Sequence, residues 1–190
     1  MKFNIIAAQP QHAPVIARLV MMAMTDECCL NLSGEGHTLD DFRRLMERLV
    51  AADDTQYSYR NTIIAVTADG GEVAGAIVSY DGARLHALRR AFIEGARREL
   101  GIDHSGMDDE TSPGEWYLDS LAVFPRFRGL GVARRLLSAA VGLGAAHGLP
   151  AALLVDKSNP NAERLYRSVG FGYVEDAVWG GHEMRRLRTS

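Results

Sequence analysis

The chain has 190 residues, 47% of them hydrophobic and 24% charged, with a formal net charge of −3. That length suits one domain with a full core, and the hydrophobic share excludes global disorder. The slightly negative balance argues against a nucleic-acid binder relying on bulk positive charge, and no apolar run reaches the length of a membrane span, so neither partner is expected.

In chain order, Phe3–Ala8 reads as a strand, and Met1-Lys2-Phe3-Asn4 is too short and polar an opening for a signal peptide. Ala13–Met24 follows as a helix, with Val15, Leu19, Met22 and Ala23 on its apolar face. Cys28 and Cys29 are adjacent and form neither a disulfide framework nor a Cys-x-x-Cys knuckle; they are expected as reduced thiols in a cytoplasmic protein. The six histidines are scattered without metal-ligand spacing, so no metal site is expected. Thr38 is an N-cap with Asp40 and Asp41 behind it, leading a helix to about Val50. Thr62–Thr67 and Glu72–Ser79 form a hairpin around Asp69-Gly70-Gly71. Gly82–Leu100 carries Leu85, Leu88, Phe92, Ala96 and Leu100 at helical spacing, with Arg89, Arg90, Arg97 and Arg98 on the other face. A polar loop from Asp103 to Gly114 holds Asp103, Asp108, Asp109 and Glu110. Tyr173–Ala177 and His182–Leu187 close the chain as strands. The alternation predicts an α/β fold, a mixed central sheet flanked by helices in a single domain over 1–190.

Leu118–Phe171 is the most informative stretch. An apolar strand ends at Pro125, and Arg128-Gly129-Leu130-Gly131-Val132-Ala133 leads into a helix. Glycines there let the backbone approach a ligand, and N–H groups at a helix start suit a phosphate or pyrophosphate. A dinucleotide fingerprint would need a third glycine where Arg134 stands, and the Gly-Lys-Ser/Thr ending of a P-loop is absent. The fitting pattern is Arg/Gln-x-x-Gly-x-Gly/Ala, with Arg128 preferred over Arg126 as its first residue. After the strand Ala151–Asp156 comes Asn159-Pro160-Asn161-Ala162-Glu163-Arg164-Leu165-Tyr166-Arg167-Ser168-Val169-Gly170-Phe171. This resembles the Asn-x-x-Ala-x-x-Leu-Tyr-x-x-x-Gly-Phe signature of the GNAT superfamily of acetyl-coenzyme A-dependent N-acetyltransferases, and both signatures stand in that family's order.

The resemblance implies a GNAT-like fold, acetyl-coenzyme A as cosubstrate without a metal, and direct attack by a primary amine of a small molecule or peptide. It implies that the backbone of Leu121, Ala122 and Val123 runs beside the pantetheine arm. Arg128, Gly129, Leu130, Gly131, Val132 and Ala133 would hold the pyrophosphate, Asn159 would bond the arm, and Tyr166 would protonate the leaving sulfur. For the general base, Glu115 and Asp119 rank ahead of Asp156, with strict alternation placing Asp119 on the face opposite Ser120. Relative to the generic fold, Gly82–Gly114 is a helix-plus-loop insertion before the signature strand. It is expected near the acceptor as a substrate lid or a homodimer contact. Its acids would be solvated and draw a cationic amine, while Arg89 to Arg98 face away or toward a partner. Tyr80, Asp81 and the Trp179-Gly180-Gly181-His182 turn are further substrate-side candidates. The other reading is a non-catalytic acyl-coenzyme A-binding regulatory module. Intact Asn159 and Tyr166 favour the enzyme.

Overall fold

The computed structural model describes residues 1–190. One seven-stranded sheet runs through the molecule in the order β1-β2-β3-β4-β5-β7-β6. Its strands are β1 (Phe3–Ala7), β2 (Thr62–Thr67), β3 (Val73–Asp81), β4 (Trp116–Val123), β5 (Ala151–Asp156), β6 (Gly172–Trp179) and β7 (His182–Arg188). All neighbours are antiparallel except β4 and β5. The helices are α1 (Ala13–Met24), α2 (Asp26–Ser33), α3 (Leu39–Ala51), α4 (Leu85–Leu100), α5 (Val132–Ala146) and α6 (Pro160–Arg167).

The sheet divides two cores. On one face, Ile16, Leu19 and Val20 of α1, Phe42, Leu45 and Met46 of α3, and Leu88 and Phe92 of α4 pack against Ile64, Val78 and Tyr80. On the other, Leu136, Leu137 and Ala140 of α5 cover Ile77, Leu118 and Leu153, with Leu165 and Tyr166 of α6 at the margin. α3 begins in a reciprocal capping box, Thr38 accepting from the Asp41 N–H and Asp41 from the Thr38 N–H. α2 had no counterpart in the sequence reading. Only Cys29 and Ser33 of its eight residues are buried, too few to make a periodic face.

Two irregularities in β4 create an opening. First, the β3–β4 register shifts between Val78 and Ser79: Ser79 faces Leu118, Val78 faces Ser120, and Asp119 is the extra residue. Second, β4 meets β5 only at Trp116↔Ala151 and Tyr117↔Ala152. Beyond Tyr117 the two strands separate, and the β4 edge from Leu118 to Val123 has no strand beside it. Such a bulge bends a strand and increases its twist. α5 and α6 start just past the ends of these two diverging parallel strands, the place where open α/β sheets receive ligands.

Candidate active site

The gap between β4 and β5 widens into a cleft of about 610 Å³. Leu121, Ala122, Val123, Arg128 and Ala133 line one end, and Asn159, Ala162, Leu165 and Tyr166 the α6 side. Gln56, Tyr57, Glu110, Tyr117, Asp119 and Trp179 line the other end.

At the loop end the chemistry is supplied by backbone. Pro125–Phe127 makes a tight turn, and Gly129 (φ 75°) and Gly131 (φ 78°) then take left-handed conformations with open space beside both. A side chain at either glycine would be strained in that conformation. Gly131 is the N-cap of α5 and offers no side-chain acceptor, so the first-turn N–H groups stay free. The N–H groups of Gly129, Leu130 and Gly131 likewise donate to no backbone carbonyl. These donors, with the helix dipole behind them, make an anion-binding loop. Arg128 lines the cleft, its Nε donating to the Val123 carbonyl at 3.2 Å. Arg126, the other candidate first residue, is instead paired with Glu72 over the Phe127 ring.

Asn159 caps α6, its Oδ1 accepting from the Ala162 N–H at 3.1 Å, and also lines the cleft. Tyr166 packs edge-on against Phe171 at 6.1 Å. Burial pushes its phenol up to about 12, so it stays protonated at neutral pH. Its hydroxyl makes no hydrogen bond within the protein.

The opposite end is built from side chains brought together over long sequence distances. Gln56 Nε2 donates to Glu110 Oε1 at 2.6 Å and to Asp119 Oδ2 at 2.7 Å. The Tyr80 hydroxyl lies 3.3 Å and 3.1 Å from the same two oxygens. Ser120 Oγ donates to Asp119 Oδ1 at 2.7 Å. Burial, followed by the charge of Asp119, raises Glu110 to about 7, and burial raises Asp119 above the usual carboxylate range. Tyr57, Tyr80 and Tyr117 are all held well above their ordinary values, burial being the main cause.

Several expectations change here. Asp119 and Ser120 both line the cleft, not opposite faces, because the bulge interrupts the alternation. Glu115 is buried in an ion pair with Arg186 at 2.7 Å, accepts from Thr111 at 2.6 Å, and is absent from the cleft wall. Asp156 does line the cleft, but the Ser158 side chain, then the Ser158 N–H and His182, hold its carboxyl below the usual range, a poor setting for a base. Arg89 does not face away: it is 3% exposed and pairs with Glu110 and, at 3.0 Å, Asp109. Of the four acids of the loop only Glu110 is buried; Asp103, Asp108 and Asp109 stay exposed to solvent, each engaged by a neighbour. Asp103 pairs with Arg97, Asp109 with Arg89 and His86, and Asp108 accepts from the Gly180 N–H at 3.1 Å. Gln56 and Arg89 were not singled out as site residues in the sequence. Tyr80 stood among the substrate-side candidates, and Glu110 carried a hint as one acid of a charged run.

Thr25 also lines the cleft, at the joint of α1 and α2, and is the one non-glycine residue with positive φ (75°, ψ 155°). That region costs a β-branched residue on the order of 1–3 kcal/mol. No group of three or more His, Cys, Asp or Glu side chains is arranged to hold a metal, and no helix is long and apolar enough to cross a membrane.

Comparison with known proteins agrees with this fold. No curated protein matches the sequence. A solved acetyltransferase structure is 29% identical, covers 98% of both chains and superposes with a TM-score of 0.81. An N-acetyltransferase from Staphylococcus aureus Mu50 shares the fold at 22% identity and a TM-score of 0.79, covering 98% of this chain and 100% of its own. The NatC complex bound to Gag peptide and CoA contains a chain of the same fold, at 16% identity and a TM-score of 0.59, over 100% of this chain and 98% of that one. The sequence profile of the acetyltransferase (GNAT) family, whose members use acetyl-coenzyme A, matches residues 35–171. With most of its length under that profile, the chain belongs to the GNAT family of acetyltransferases.

Proposed function

We propose that the protein transfers acetyl from acetyl-coenzyme A directly to a primary amine of a small molecule or peptide. The observation that carries this is one cleft lined at once by Arg128 and Ala133, which flank the free N–H loop, by the open β4 edge, and by Tyr166 and Asp119. The cosubstrate fits the residues present. Free donors and Arg128 suit its pyrophosphate, glycines leave room for close approach, and the unpaired edge of Leu121–Val123 suits an extended amide-bearing arm. When bound, acetyl-coenzyme A supplies an activated thioester, so neither a metal nor a covalent enzyme adduct is needed.

The remaining work falls to side chains. An acceptor arrives as an ammonium and must lose a proton before its lone pair can form the new C–N bond. Asp119 takes that proton. A β4 backbone N–H stabilises the charge growing on the carbonyl oxygen. As the C–S bond breaks, Tyr166 gives its proton to sulfur and recovers one from the acetylated nitrogen. The net result is an amide, a thiol and one proton released through Asp119. Asn159 orients the arm. Glu115 has no part in this reading, because its charge is committed to Arg186.

Thiol release from acetyl-coenzyme A, measured over a panel of polyamines, aralkylamines, amino acids and peptides, tests the reading. Calorimetry of coenzyme A binding accompanies it. Binding with amine-dependent thiol release is the expected result; no binding at millimolar coenzyme A overturns it.

A further inference from the structure

Asp119 does not act from an isolated position. Its Oδ2 and Glu110 Oε1 converge on the same two donors, Gln56 Nε2 and the Tyr80 hydroxyl. Gln56 has two N–H bonds and serves both oxygens. Tyr80 has one O–H and can serve only one at a time. Two carboxylates held this close in a buried setting cannot both ionise freely. Glu110 is 5% exposed and Tyr80 1% exposed, so water offers little screening.

Glu110 is fixed there from behind. Arg89 of α4 reaches its other oxygen, Oε2, and also donates to the Asp108 carbonyl at 2.9 Å and to Asp109 Oδ1 at 3.0 Å. The one buried guanidinium is thus shared among several acceptors and does not neutralise both carboxylates. The Gln56 N–H donates to the Leu88 carbonyl at 3.2 Å, tying the Gln56 segment to α4 as well. The other groups facing the pair are Tyr57 beside Gln56, Tyr117 and Ser120 of β4, Cys28 of α2, and Arg186 of β7. Of these, Arg186 donates to the Glu110 carbonyl at 3.3 Å while its charge pairs with Glu115.

We propose that Glu110 and Asp119 work as one proton-sharing unit, with Glu110 and Arg89 as positioning residues that set the pH at which Asp119 accepts the acceptor's proton. The charge of Asp119 strengthens the hold of Glu110 on a proton, and in a coupled pair that like-charge effect is shared by both carboxylates, while Arg89 moderates it and pins Glu110. In the step itself, the proton passes from the ammonium nitrogen to Asp119 Oδ2, and the nitrogen keeps the electron pair. Asp119 then releases the proton to water in the cleft. The inference rests on the transferase reading, but its first readout needs no acceptor.

That readout is a carbon-13 NMR titration of protein carrying carboxyl-labelled aspartate, saturated with coenzyme A, with the Asp119 signal assigned by its loss in Asp119→Asn. Asp119 should titrate above the ordinary carboxylate range. Glu110→Gln should lower its midpoint by about one pH unit, a tenfold loss of proton affinity. Arg89→Met should raise it by a similar amount, and Arg89→Lys should restore it to near the wild-type value. Opposite signs separate the proposal from a purely structural role, in which both variants would lower the melting temperature without opposed shifts. If Arg89→Met does not fold, Glu110→Gln and the double variant Arg89→Met/Glu110→Gln carry the test. Removing both partners spares an unpaired buried charge, and the double variant should titrate above Glu110→Gln alone. An Asp119 midpoint in the ordinary range, or one unmoved by Glu110→Gln, overturns the proposal. With an accepted amine, the rising limb of kcat/KM against pH should follow the same shifts. Absence of coenzyme A binding would instead defeat the transferase reading, while the same titration on ligand-free protein would still report on the pair.

Discussion

The two ends of the cleft are made by different means. The loop end is backbone: two glycines at positive φ, a helix start without a side-chain cap, and one strand edge left open. The carboxylate end is side chains, with Gln56 meeting Glu110 and Asp119 across 54 and 63 residues of sequence. A backbone site tolerates most changes that keep its conformation, whereas a side-chain site depends on each partner's chemistry. Substitutions at the two ends should therefore separate cleanly into losses of binding and losses of chemistry.

The largest effect belongs to Asp119→Asn. Loss of the proton acceptor should lower kcat/KM for the amine by about 10²–10⁴-fold while the Kd for coenzyme A, read by calorimetry, stays within a factor of about three. A parallel loss of coenzyme A binding would break the division. Tyr166→Phe comes next: turnover should fall by roughly ten to a thousandfold in pre-steady-state measurements, with little change in stability because ring volume is kept. The opposite signature is expected at Gly131. A valine there must adopt φ near 78° and fills the space the ligand needs, so coenzyme A should bind at least about tenfold more weakly and the protein should be less stable by about 1–3 kcal/mol. Arg128→Gln is the mildest ligand-side change. It should raise the Kd for coenzyme A several-fold at low salt and less at high salt, since this exposed charge is screened.

A smaller effect sharpens the carboxylate end through pH. The folded state holds the Glu110 proton more tightly than the unfolded chain does, up to about pH 7 against an ordinary value near 4.5. Between those values the native state binds more protons, so this group's contribution to stability falls as pH rises. Urea midpoints at pH 5 and pH 7.5 should differ more in wild type than in Glu110→Gln, in the direction of lower wild-type stability at the higher pH. Equal differences in the two proteins would leave Glu110 without a perturbed titration.

The same contrast explains what the sequence could reveal. Glycines at fixed spacing, a cap residue and a helical tyrosine are local features, so the loop end was legible residue by residue from Arg128 to Tyr166. The helices Ala13–Met24 and Leu39–Ala51 and the strand Ala151–Asp156 followed from period and capping in the same way. The carboxylate end was legible only in part. Asp119 stood out as an acid on the signature strand, but its facing depends on a bulge set by pairing with Val78 and Ser79. Arg89 looked like a residue of a solvated face because helical period cannot show that a returning loop will bury it. Glu115 looked as suitable as Asp119 until Arg186, 71 residues later in sequence, occupied its charge.

The open β4 edge has a consequence for thickness. An unpaired strand edge on the outside of a protein invites a second chain to add on, and β6 presents such an edge here. The edge from Leu118 to Val123 lies inside the sheet, with β5 closing at Trp116 and Tyr117 and the starts of α5 and α6 at its far end. A guest must be slim enough to lie between two strands, and must present hydrogen-bonding groups in a single extended line. The slot is therefore a gauge of shape: it suits a narrow guest whose amides lie in one extended line.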